Sequence, residues 1–233
     1  MIFKRLIHAV AVFLVLGAPA LWAGDSASFT DLGFSPDGNY YMFAQYGVRT
    51  GTLRPWADLF LVDVEKNNFV REGRISYTHD RPIIAGQDGA GAMFRLIAEN
   101  AELARRYGVT YPSQGQPLYI SLEGDPAYSG QAITFRDFVS GISYSASLTE
   151  TIEGSHQNLR SSFFITLEAV DYANTTSVFT IGTPIWRPMI LSYRIKRVLI
   201  DPSGSSLIFV IEMKRRNENG THDIRYMIEA LRL

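Results

Sequence analysis

The stretch Phe34-Ser35-Pro36-Asp37-Gly38, followed by Tyr40-Tyr41-Met42-Phe43-Ala44, constrains the fold more tightly than any other part of the chain. Proline presets φ at the first central position of a type I turn, aspartate tolerates the second, and glycine takes the left-handed conformation that follows. The chain must reverse here, in a hairpin with a bulge. The residues after the turn are apolar or aromatic on both alternating faces, which suits a strand interior to a sheet or sandwiched between layers. A related phrase, Asp201-Pro202-Ser203-Gly204 followed by Leu207 to Ile211, stands near the other end. Aligning Pro36 with Pro202 also aligns Gly38 with Gly204 and Phe43 with Phe209. Proline and glycine persist while the acid gives way to serine, so what is kept is turn geometry. The two phrases, near 29–47 and 195–213, are read as related hairpins rather than as sites. They are expected to lie near each other, with a shared sheet as one arrangement.

Further strands are expected at Leu59 to Val64, Leu118 to Leu122, Ala132 to Val139, Ile142 to Leu148, Phe163 to Val170, Ser177 to Ile181, Leu191 to Ile200 and Ile224 to Leu231, separated by Gly, Pro, Asn and Asp clusters. One segment, Gly89 to Tyr107, has helical spacing instead, with Ala90, Phe94, Ile97, Ala101 and Ala104 on one face. Asp88 can cap its start and Gly108 can end it. The fold class is mainly β, a β-rich α+β protein of antiparallel hairpins and sheets with one substantial helix near 89–107.

Met1 to Ala23 reads as a signal peptide: Lys4 and Arg5, an apolar core from Ala9 to Gly17, then small residues to Ala23. Cleavage is expected after Ala23, with Ala20 as the alternative site. An uncleaved anchor is the competing reading, but the apolar run is shorter than the roughly 20 residues a span needs. Residues 24–233 are then a single β-rich domain. Without Lys4 and Arg5, the 22 basic residues fall to 20 against 23 acidic ones, a net charge of −3. Such a balance recruits no nucleic acid by bulk charge. Cysteine is absent, which excludes disulfides, thiolate metal sites, a cysteine nucleophile and an acylated N-terminal cysteine. The expected location is the periplasm or the medium of a bacterium, with no stable membrane span after cleavage.

The phrase Phe34 to Gly38 with Phe43 resembles the repeat of TolB-type β-propellers, and the second phrase matches it with Ile200 for the aromatic and Ser203 for the acid. Two phrases are fewer than the four blades a propeller needs. The resemblance therefore implies a partial propeller-like or sandwich architecture rather than a regular propeller. Over nearly the whole mature chain, the segments from Gly24 to Gly47, Leu191 to Glu212 and Ile224 to Leu233 resemble a bacterial family of predicted secreted proteins whose function is unassigned. That resemblance implies export and carries no catalytic residues.

Three histidines follow the leader: His79, His156 and His222. His79-Asp80 and His222-Asp223 offer metal-type donors, but neither has a partner at ligand spacing, and polar turns account for both. Gly141-Ile142-Ser143-Tyr144-Ser145 approaches a nucleophile elbow and lacks its last glycine. Glu123 with Asp125, and Glu150 with Glu153, are read as exposed acids rather than a glycosidase pair. Gly86-Gln87-Asp88-Gly89-Ala90-Gly91 presents a helix start of the kind that binds anions, but without a P-loop lysine it is read as a flexible helix entry. Lys214-Arg215-Arg216 is read as a solvated hairpin tip.

Tyr40, Tyr41, Tyr46 and Trp56 cluster in one stretch, and Tyr111, Tyr119 and Tyr128 in another. The first set is taken as the candidate binding surface, with core packing as the alternative. No catalytic residue, cofactor or metal is assigned. The functional expectation is an exported, non-enzymatic binding or interaction protein of the bacterial envelope, whose partner is an envelope protein, a peptide or a glycan. The alternative is an envelope hydrolase using dispersed carboxylates or a histidine.

Overall fold

The first hairpin phrase opens an antiparallel meander in a computed structural model that describes residues 24–84, 86–111, 113–122, 130–217 and 220–233. The leader at 1–23 and the candidates Glu123, Asp125 and Tyr128 lie outside the described residues. β1 (Ser28–Phe34) turns into β2 (Tyr40–Val48), which pairs with β3 (Pro55–Asp63), and β3 pairs in turn with β4 (Asn68–Thr78). Two helices follow, α1 (Ala90–Glu99) and α2 (Ala101–Arg106). Next come β5 (Gln116–Ile120), β6 (Ala132–Arg136), β7 (Ser143–Glu153), β8 (Arg160–Val170), β9 (Thr176–Ile181) and the short β10 (Arg187–Pro188). The chain closes with β11 (Ile190–Ile200), β12 (Ser206–Arg216) and β13 (His222–Arg232). The second sheet runs β10-β8-β7-β6 with β9 also on β8, and the third runs β13-β12-β11-β5.

Alternation along each strand decides how these sheets stack. On β2, Met42 and Ala44 join Leu59, Leu61, Met93 and Leu96 beneath the helices, while Tyr41 and Phe43 pack against Leu199, Ile208 and Val210 of the third sheet. The opposite face of β12, with Leu207, Phe209 and Ile211, packs against Tyr144, Ile165 and Leu167 of the second sheet. The layers therefore run helices, first sheet, third sheet, second sheet. This is an open stack, neither a closed barrel nor a regular propeller.

The two hairpin phrases stand in different sheets and pack face to face, which corrects the arrangement as one shared sheet. β2 already has β1 and β3 on its edges, and β12 has β11 and β13, so neither strand has an edge left for the other. Their turns nevertheless meet. Gly38 has φ +68° and Gly204 φ +73°, the left-handed region that favours glycine. A Cβ on Gly38 would stand 2.7 Å from Asp201 Oδ2. Within the first turn the Ser35 hydroxyl donates to Asp37 and accepts the Tyr40 N–H at 2.9 Å. Within the second, buried Asp201 accepts the N–H groups of Ser203, Ser205 and Ser206. Serine and acid have exchanged positions, yet both turns stay hydrogen-bonded. Arg232 bridges them, donating to the Asp37 carbonyl and to Ser206 Oγ at 3.4 and 3.1 Å.

The expected helix is present but divided at Asn100, whose side-chain amide donates to the Leu96 carbonyl at 2.8 Å. Its buried face is Ala92, Met93 and Leu96, whereas Phe94, placed on the inner face by spacing alone, is 63% exposed. Phe94 lies about 100° around the helix from Met93. Contact with Leu59 and Leu61 of β3 selects the Met93 stripe, with Ile97, Leu103 and Ala104 along its flank.

Candidate functional site

Where β4 runs out beside the start of α1, side chains distant in sequence converge on one phenol. Tyr77 lies on the helix-facing side of β4, and Arg95 on α1 donates from Nη1 to its hydroxyl at 2.7 Å. The guanidinium also lies over the Tyr77 ring, 4.5 Å from its centroid, an attractive cation–π arrangement. The same hydroxyl stands 2.8 Å from His79 Nδ1. Arg95 donates to the phenol oxygen, and the hydroxyl and Nδ1 share one proton between them, one group donating and the other accepting. Glu99, one turn along the helix, accepts from Arg95 Nε at 2.7 Å and raises the guanidinium pKa above its ordinary value. Asp88 Oδ1 accepts the Ala90 N–H at 3.0 Å, where the positive end of the helix favours a carboxylate.

Tyr77, His79, Asp88 and Arg95, together with Ile83 and Ala92, line an open groove of about 570 Å³, a size suited to a small-molecule ligand. Arg95 is matched by Glu99, and Asp88 by the helix start. The groove therefore offers donors and acceptors with its fixed charges locally compensated. Asp80 adds a carboxylate 3.6 Å from His79 Nδ1 at the exposed rim. The Arg95–Glu99 pair is half exposed, so solvent screens it and its role is to hold the guanidinium in place rather than to stabilise the fold. A larger hollow of about 920 Å³ lies between the β7–β8 connection at 155–158, Met189 and the end of β12 at Arg216. Its ionisable groups, His156 and Arg216, come from the β7–β8 connection and the end of β12, and the chemistry is concentrated at Tyr77 instead.

The aromatic set taken from the sequence does not form a surface. Tyr41 is 0% and Trp56 1% exposed. Tyr40 and Tyr46 are half-buried on the opposite, helix-facing side of β2, Tyr40 with its ring edge-on to Tyr107. Trp56 is covered by the guanidiniums of Arg225 and Arg49, at 4.3 and 5.1 Å from its ring. Of the second set, Tyr111 is exposed and Tyr119 packs on Phe135.

The histidine pairs separate. His79 belongs to the groove, while His222 is exposed and Asp223 turns inward. Among the described residues no cluster of three or more His, Asp or Glu is placed to hold a metal ion. Ser143 lies in β7 rather than on an elbow. Glu153 pairs with Arg160 at 2.7 Å, while Glu150 accepts the Tyr193 N–H at 3.1 Å. Lys214 to Arg216 are not a tip but the end of β12, paired with β13.

Burial pushes three carboxyls above their ordinary range: Asp31, Glu150 and Glu229. They stand on β1, β7 and β13, each held by structural hydrogen bonds, and none lines the groove. Sequence reasoning missed Tyr77 and Arg95. The available signal was Gly86 to Gly91, which reads as a helix entry and supplies one wall of the groove.

A family model described as "Predicted secreted protein (DUF2259)" matches residues 42–232, a span that includes the groove and the second hairpin phrase. No curated protein and no solved structure matches the chain.

Proposed function

The chain belongs to the DUF2259 family of predicted secreted proteins, and from that premise we propose that it is an exported, non-enzymatic binding protein of the bacterial envelope. Its ligand site is the groove between β4 and α1, and its ligand is a neutral polar molecule, for which an envelope glycan is the fitting chemistry. The observation that carries this reading is the convergence of Arg95 and His79 on the Tyr77 hydroxyl inside an open groove. Vicinal sugar hydroxyls need alternating donors and acceptors at short spacing without a strong net field. The phenol, the imidazole, the guanidinium and the Asp88 carboxylate are of that kind. Among the described residues no helix is long and apolar enough to cross a membrane.

The hydrolase reading draws on the same residues, because His79 is an ionisable group in hydrogen-bond contact with a second polar side chain. The deciding experiment is to incubate the mature chain with neutral oligosaccharides, measuring binding by calorimetry and product release by chromatography. Saturable binding without product supports the binding protein. Turnover that His79→Ala abolishes replaces it with the hydrolase, and neither binding nor turnover removes the groove as a site.

A further inference from the structure

We propose that hydrolysis of the Ala23–Gly24 bond builds a site for the chain's own new terminus: the α-ammonium of Gly24 seats beside Asp223 in a charge cluster shared with Asp25, Arg225 and Arg49.

The seat is already formed from Gly24 onward. Ser26 makes a parallel bridge to Ile224, the Ile224 N–H donates to the Asp25 carbonyl at 2.8 Å, and the Ala27 N–H donates to the Ile224 carbonyl at 3.1 Å. The segment thereby satisfies the outward backbone groups of β13 at Ile224, as the Gln45 and Asn67 side chains do for the N–H groups of Tyr226 and Ala230. At its start the fit admits only glycine, because a Cβ on residue 24 would overlap the His222 carbonyl.

The charges around this segment are buried and mutually bonded. Asp25, Asp223 and Arg225 are 7%, 8% and 8% exposed. Arg225 Nη2 stands 3.3 Å from a carboxylate oxygen of each acid. Asp25 also accepts the Thr50 N–H, and Asp223 Oδ1 accepts the Asp25 N–H at 2.9 Å. Two buried carboxylates thus share one buried guanidinium. The second cation, Arg49, contacts Asp25 Oδ2 at 3.4 Å with its side chain 45% exposed. His222, next to Asp223 on β13, is exposed. Arg49 thus completes the pairing of Asp25 from the solvent side, while Asp223 has only its share of Arg225, and a buried carboxylate gains from a further cation beside it.

Gly24 is placed to bring a further cation to Asp223. The position of a Cβ on Gly24 is 2.8 Å from Asp223 Oδ1. The nitrogen on the same Cα therefore lies within about 5 Å of that oxygen, inside the range over which opposite charges stabilise each other. In the unprocessed chain this nitrogen is a neutral amide. An exported-protein signal peptidase adds water across the bond: Ala23 leaves with the leader as a carboxylate, and the Gly24 nitrogen takes up a proton as an ammonium. Processing thus converts a neutral linkage into a third cation, placed beside Asp223 rather than Asp25.

Two measurements test this. Mass spectrometry of the protein recovered after export should find a chain beginning at Gly24; any other start overturns the proposal. The Gly24–Leu233 chain with a free amine is then compared with the same chain acetylated on Gly24, which removes the charge. An amine paired with Asp223 has a raised pKa in the fold, so its stabilisation is present below the unfolded value of about 8 and is lost as pH rises through the folded one. The free-amine chain should melt about 2–4 °C higher at neutral pH, and this advantage should disappear at high pH and in Asp223→Asn. Identical melting of the free and acetylated chains at neutral pH overturns the proposal, and that comparison decides even if Asp223→Asn does not fold.

Discussion

Replacing Gly38 by alanine should cost much more than the same replacement at Gly204, although both glycines occupy equivalent places in related turns. Both have left-handed backbones, φ +68° and +73°, where an L side chain costs about 1–2 kcal/mol. At Gly204 nothing lies within 4 Å of the new Cβ, so the backbone strain is the whole effect. At Gly38 the new Cβ would meet Asp201 Oδ2 at 2.7 Å, its Cγ at 3.3 Å and Arg232 Nη1 at 3.2 Å. Asp201 has little freedom to retreat. It is 2% exposed, and its Oδ1 accepts the Ser205 and Ser206 N–H groups at 2.7 and 2.6 Å. Its Oδ2 accepts from the Ser203 N–H and hydroxyl. Weakening one such charged hydrogen bond costs about 1.5–3 kcal/mol. Gly38→Ala should therefore lose about 2.5–5 kcal/mol in total, against about 1–2 for Gly204→Ala. Urea denaturation of the mature chain, followed by the fluorescence of buried Trp56, reads both values, with an unchanged m confirming that the native and unfolded states are comparable. The double variant Gly38→Ala/Asp201→Ala should show strong coupling. Equal losses at the two glycines, or additivity in the double variant, would refute the contact between the hairpin turns and with it the face-to-face packing of the two phrases.

The helix face gives a second contrast: Leu96→Ala removes a side chain only 3% exposed and should cost about 2–5 kcal/mol, whereas Phe94→Ala should stay within about 0.5 kcal/mol; equal losses would return Phe94 to the core. Glu229 has its pKa raised by burial, against the opposing Asn67 hydrogen bond and Arg187 charge. The folded state therefore holds the proton to higher pH than the unfolded chain, and the associated stability is lost as pH rises through the folded value. The melting difference between Glu229→Gln and wild type should shift in favour of the variant from about pH 4 to about pH 8; a flat or opposite trend would contradict the burial argument.

What was legible in the sequence was local chemistry. Pro36 with Gly38, and Pro202 with Gly204, define their turns without help from the rest of the chain. Apolar residues on both faces of Tyr41 to Ala44 marked a strand covered on both sides, and β2 is covered by helices on one side and by the third sheet on the other. Long-range choices were not legible. Hairpin phrases of similar sequence do not state whether they meet by edge or by face, and here the occupied edges of β2 and β12 decide it. The helix spacing accommodated two stripes, and only contact with Leu59 and Leu61 selected Met93 over Phe94.

The aromatic cluster failed for a related reason. Residues adjacent on a strand point to opposite faces, so Tyr40 and Tyr41 are neighbours in sequence and separated in space. Tyr77 and Arg95, 18 residues apart, belong to a strand and a helix that only tertiary packing brings together.

The most direct test of the binding groove is a two-dimensional amide NMR titration of the Gly24–Leu233 chain with a panel of neutral di- and trisaccharides, repeated on Arg95→Ala and His79→Ala. Both side chains are well exposed, so these variants should keep the fold. A binding protein of the proposed kind will show saturable shifts confined to Tyr77–His79, Gln87–Ala92 and Arg95, weakened at least tenfold in both variants, a loss of about 1.4 kcal/mol. Shifts that do not saturate, or that map to another surface and survive both substitutions, would contradict it.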